Sequence, residues 1–327
     1  MRVKRRTTSG PTQHGSSDDP RPVRTGRSWI TAIALVVGLA GLALAPGGRA
    51  FAGAPPAPTG YTLAGANGGV FGYAGAALHG SLAASGTTLQ APIVGVAGTS
   101  TGKGYWLVGG DGGVFAFGDA KYFGSIPGIS AKLQAPIVAV AATADAKGYW
   151  LVGADGGVFA FGDASYKGSL VSLHISPTSP ISGFAATPDG RGYWLVGGDG
   201  GVFAFGDAGY FGNIPTLLGG PAPTPIIGIA ATPDGLGYWI ARADGAVSRF
   251  GDAGFFGSAL TTGLVPNAPV VGIGATPDGL GYWLVGGDGG VFGFGDAAFF
   301  GSLPAELSSG GAALSAPVSI VGLAITP

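Results

Sequence analysis

The chain has 327 residues, no Cys, one Met and 67 Gly, with 46% hydrophobic and only 10% charged side chains. That apolar content excludes intrinsic disorder, and the lack of Cys excludes disulfides and thiolate metal sites. The net charge of −1 hides two unlike pieces: residues 1–52 carry eight Lys or Arg against Asp18 and Asp19, whereas the rest carries eight basic residues against fourteen Asp and Glu306. A mildly acidic body argues against nucleic acid as a partner.

The basic piece reads as an address. Trp29–Ala45 is an uncharged run of 17 residues, and Ala50-Phe51-Ala52 is a small-x-small site. Together they predict a secretory signal over 1–52, cleaved after Ala52, so that the body is secreted or held in the cell envelope. An uncleaved membrane anchor is the competing reading, because 17 residues lie at the lower limit for a ~30 Å hydrocarbon core. Arg5-Arg6 sits far from the apolar run and gives a twin-arginine route little support. A Pro-rich linker, 53–59, follows.

From residue 60 a motif recurs, starting at Gly60, Gly104, Gly148, Gly192, Gly237 and Gly281, with steps of 44, 44, 44, 45 and 44. Six units of this period suggest the blades of a propeller over 60–327. One unit, 92–126, holds four strand-like runs: PIVGVAGT, GYWLVGG, GVFAFG and AKYFGSI. Asp111-Gly112 and the Thr-Pro-Asp-Gly sequences before Gly192, Gly237 and Gly281 are turn signals that join the runs as antiparallel hairpins. Along Val114-Phe115-Ala116-Phe117 both faces are apolar, so each sheet must be covered on both sides, as neighbouring blades would do. Tyr105 and Trp106 point to opposite faces.

Three connections per unit are tight, and the fourth varies, as in 83–90, 127–134, 171–178 and 304–315. Crossing from the outer edge of a four-stranded blade to the inner edge of the next covers roughly 14 Å, which requires the longer loop. The run after that loop is then innermost. The first unit lacks it, while Ala316–Ala324 is a spare copy. The expected fold is therefore an all-β, six-bladed β-propeller of four-stranded antiparallel blades, its ring closed by the C-terminal strand completing the first blade.

The string GYWLVGGDGGVFAFGDAGYFGNIP at 192–215 resembles the tandem repeats of secreted actinobacterial proteins, whose copies are similar to β-propeller blades of the WD40 or kelch kind. The resemblance covers 60–327 and implies an extracellular or envelope location, with no agreed activity for the repeat. The first copy departs from the pattern, with Thr62 for Trp, Asn67 for Asp and Ala74-Gly75 for Gly-Asp.

The fourteen Asp of the body fall into three columns. Asp111, Asp155, Asp199, Asp244 and Asp288 occupy the DG turn; Asp119, Asp163, Asp207, Asp252 and Asp296 follow Phe-Gly; Asp145, Asp189, Asp234 and Asp278 lie in the TPDG turn or its variant. Residues required in every repeat read first as turn formers bonding their own backbone. Ca²⁺ is the weaker alternative, since no D-x-[DN]-x-[DN]-G loop occurs, and no cofactor is expected.

Gly98–Gly102 matches G-x-S-x-G, but no helix follows, as a nucleophile elbow needs. His79 is expected to pack in a strand and His174 to lie in a solvated loop. Trp106, Trp150, Trp194, Trp239 and Trp283 form one column, expected in blade packing rather than sugar stacking. Arg242 and Arg249 flank Asp244 only in the fifth unit, as a local salt bridge or a ligand-facing spot.

Strand parity brings the DG turns and the variable crossovers to one face, the expected binding surface, with Asp111, Asp155, Asp199, Asp244, Asp288, Arg242 and Arg249 as candidate residues. The function read from this is non-enzymatic binding or scaffolding of an envelope glycan or extracellular protein by a monomer. The alternative is an extracellular hydrolase acting on an envelope polymer from the funnel.

Overall fold

A computed structural model describes residues 58–308 and 318–326. The predicted signal, and nearly all of the linker, lie outside the described residues. Among those residues, no helix is long and apolar enough to cross a membrane.

The repeats form six antiparallel sheets of three strands. In the second sheet, inner strand Ile93–Gly98 pairs with middle strand Gly104–Gly109, which pairs with outer strand Val114–Gly118. The third to sixth sheets repeat this order around middle strands Gly148–Gly153, Gly192–Gly197, Gly237–Arg242 and Gly281–Gly286. The DG dipeptide turns the middle strand into the outer one: Gly112 takes φ +78°, and the amides of Gly109 and Gly112 bond the carbonyls of Gly113 and Gly109. A Cβ at Gly112 would also lie 2.4 Å from Ile126, so the turn needs glycine twice over.

The first sheet is assembled from both ends of the body. Ile320–Thr326 pairs antiparallel with Gly60–Gly65, which pairs with Val70–Ala74. The spare C-terminal run thus occupies the inner position that the first unit lacks.

Every middle strand is buried along its whole length. Alternation sends Trp106 and Val108 into a cluster with Tyr149 and Leu151 of the third sheet, while Tyr105 and Leu107 pack with Ala64 and Val70 of the first. The same contact recurs at each sheet-to-sheet junction, and between the sixth and first sheets it joins Trp283 and Val285 to Tyr61 and Leu63. Burying one indole removes roughly 150–250 Å² from water, about 4–6 kcal/mol before conformational entropy is subtracted. Inner strands also lie against each other; a Cβ at Gly183 would stand 2.8 Å from the Cα of Gly228, so small residues permit the approach.

The fourth run departs from expectation. Residues 119–126 form no strand and pair in no ladder; the backbone at Lys121, Phe123 and Gly124 is held by side chains instead. The Trp106 indole donates to Lys121 O (2.7 Å), and the Tyr149 hydroxyl of the third sheet donates to Gly124 O while accepting from Phe123 N. The equivalent bonds recur at Trp194 and Gly209 O, and at Tyr238 and Gly212 O. The sheets therefore have three strands, flanked in five of the six by a segment clamped by both the Trp and the Tyr column, and in the first, where Thr62 replaces Trp, by Tyr105 alone. Short helical turns then cross to the next sheet, including Pro127–Ile129, Ile214–Leu218 and Ala259–Thr262.

Candidate functional site

At one end of each sheet the DG turn meets the crossover. Ile126 N bonds Gly112 O, and Ile137 N, which opens the third sheet's inner strand, bonds Gly110 O. The parity expected from sequence is therefore what the hydrogen bonds show. The five candidate carboxylates here act as turn formers: Asp111, Asp155, Asp199, Asp244 and Asp288 each accept the amide two residues on, at 2.9–3.0 Å.

In the fifth sheet Arg242 is only 9% exposed and pairs with Asp244 at 3.2 Å. Partial burial opposes ionisation of Asp244, but the Ala246 amide and the guanidinium outweigh it and hold the carboxyl below its ordinary range. Arg249 is exposed, opposite Trp239 on the outer strand, and takes no part in that pair. The structure thus unites two of the three residues singled out in this unit.

At the opposite end the other two Asp columns converge, which the sequence reading missed. Thr143 Oγ1 lies 3.0 Å from Asp145 and 3.1 Å from Asp163. The constant spacing of eighteen residues between the two columns (145 and 163, 189 and 207, 234 and 252, 278 and 296) was the available signal. In the sixth sheet Asp296 is pushed up to about 6 by burial, by its hydrogen bond to Asp278 and by repulsion from it. Asp278 is also opposed by burial, but Thr276 and Asp296 hold it below the usual carboxylate range, so the two carboxyls lose their protons in separate steps. The fifth sheet repeats this, with Asp252 raised and Asp234 lowered. In the third sheet Lys147 takes the proton's place, bridging Asp145 at 3.0 Å and drawing its pKa down to about 2.

The remaining candidates are structural. All five Trp of the body are buried, their indole N–H groups bonded to backbone carbonyls. The tyrosine column is likewise buried; burial pushes Tyr193 and Tyr238 up to about 12. Gly98–Gly102 is the turn between strands Ile93–Gly98 and Gly104–Gly109, not a strand-to-helix elbow. His79 lies outside any strand, its ring 6.2 Å from Tyr105, and His174 caps the turn Val171–Leu173.

Two concavities open at the TPDG end rather than the crossover end. One of about 370 Å³ lies where the inner strands finish, lined by Ala97, Thr99, Ala142, Ala275 and Ile325. The other, about 530 Å³, runs between the second and third sheets. No family model matches the chain, and a comparison with curated proteins finds no match.

Proposed function

We propose that the chain is an extracytoplasmic, non-enzymatic binding scaffold, a six-bladed propeller that presents its variable crossovers to a partner protein. The observation that carries this reading is the exposure of large apolar side chains on the crossovers, where Leu217, Leu218, Leu260 and Val265 stand out at 50–85% exposure. Apolar groups repeated on variable segments of a rigid frame are the chemistry of a protein interface. Closure of the ring is supported by the pairing of Ile320–Thr326 with Gly60–Gly65 and by the packing of Trp283 on Tyr61. Export is supported by the apolar run and small-x-small site, and by the resemblance of the repeat to secreted actinobacterial proteins. An envelope glycan is the other ligand class in this reading.

The test is retention of envelope proteins and envelope polysaccharides by the immobilised chain, with wild type beside Leu218→Asp and Leu260→Asp. Saturable protein retention that both charges weaken is the expected outcome. Retention indifferent to both would remove the crossovers from the interface.

The hydrolase alternative would draw on the hydrogen-bonded Asp278 and Asp296, a pair able in principle to supply acid and base. It predicts release of reducing ends from an envelope polysaccharide, abolished in Asp296→Asn.

A further inference from the structure

We propose that the groove between the second and third sheets is a sugar-binding site for a neutral glycan chain, distinct from the crossover surface and at the opposite end of the sheets. Its walls bring together Asp119, Lys121, Asp163, Lys147 and Thr101 around Phe123. At about 530 Å³ it falls within the roughly 300–1,000 Å³ usual for small-ligand sites.

The composition of the walls decides the ligand class. Asp119, Asp145 and Asp163 face the same space as Lys121 and Lys147, so neither a strong anion nor a strong cation meets a field of one sign. A sugar ring needs acceptors and donors side by side for its hydroxyls, and half-buried Phe123, packed beneath against Trp106 and Tyr149, adds an apolar floor. The carboxylates supply the acceptors. Asp119 accepts from Thr99 (2.9 Å) and Thr101, and Thr101 stands where the later repeats carry the second Asp. Asp119 therefore has no carboxyl partner to share a proton, and the Thr101 hydroxyl leads in holding its pKa down. Lys121 supplies the donor: none of the three ion pairs among the described residues involves it.

Three departures from the repeat meet in this groove. Lys121 occupies a column otherwise filled by Ala77, Ser165, Gly209, Gly254 and Ala298. Thr101 replaces Asp, as above. Ala146 replaces the turn glycine and is held at φ +58°, a conformation that disfavours a side chain. Three of the framework's departures from its repeat thus lie on the two walls of one concavity.

The experiment is calorimetric titration of the purified chain with chitotetraose, cellotetraose and mannotetraose. One of these is expected to bind with a stoichiometry of one. Lys121→Ala and Asp163→Asn are each expected to weaken it about tenfold, the loss of a charge-assisted hydrogen bond. Asp207→Asn, in the corresponding turn of the fourth sheet and outside the groove, leaves binding unchanged. Both groove side chains are exposed, so thermal melts of their variants should overlay the wild type. Failure of all three probes to bind at about 10 mM, a stoichiometry near that of the repeats, or binding indifferent to both groove substitutions would overturn the assignment.

Discussion

A tyrosine hydroxyl at each sheet junction holds a segment that has no ladder of its own. Tyr193 donates to Gly168 O at 2.5 Å and accepts from Lys167 N at 2.9 Å, joining the fourth sheet to the segment before it. Tyr193→Phe keeps the ring contacts with Trp150 and Phe184 and removes only these bonds. Because it leaves a carbonyl and an amide without partners, it is expected to cost about 1–3 kcal/mol, read from the urea midpoint at unchanged m-value. The apolar half of the aromatic columns was legible in the sequence from their period and from the strands around them. Their polar half was not, since a phenol's partner lies 25 or more residues away on a segment expected to be a strand.

At the scale of elements, the paired turns at the TPDG end make stability depend on pH. Asp296 titrates near 6 when folded, above the ordinary value of 3.8, so the folded chain holds the extra proton between these values. Its contribution is complete below the ordinary value and is lost as pH rises through about 6; the depressed Asp278 contributes in the opposite sense, above the ordinary value. Asp296→Asn supplies the shared hydrogen permanently. Its melting temperature should therefore rise relative to wild type between about pH 5 and pH 8, by a few degrees at most, since both groups are partly solvated and the effect stays below about 1 kcal/mol. A constant or falling difference across that range would exclude the shared proton. The sequence marked these carboxylates as turn formers, which Asp278 is, accepting from the Leu280 amide. That two columns converge was hidden because the TPDG column bonds locally as well, and local chemistry alone explained it.

For the whole molecule, the pairing of the two ends is the least redundant contact. Ile320–Thr326 covers the edge of Gly60–Gly65 and also packs on the inner strands of the second and sixth sheets. Deleting residues 318–327 would expose a fully buried middle strand as an open edge. The truncated chain is expected to aggregate, or to melt more than 10 °C lower than the full chain (an estimate from the length of ladder lost), as followed by size-exclusion chromatography and circular dichroism. A truncated chain that stays monomeric with an unchanged melt would show that the first sheet stands without its C-terminal strand.

The sequence by itself determined the number of sheets, three of the strands expected in each, the hairpin turns and the origin of the first sheet's inner strand. These follow from period, alternation and turn chemistry, which are local or repeat exactly one unit away. Only the tertiary structure decided that the fourth run is clamped rather than paired, that two carboxylate columns meet, and that the concavities open away from the variable crossovers. Each of these depends on which side chain reaches across to a neighbouring sheet, and a repeat pattern is the same whichever neighbour it meets.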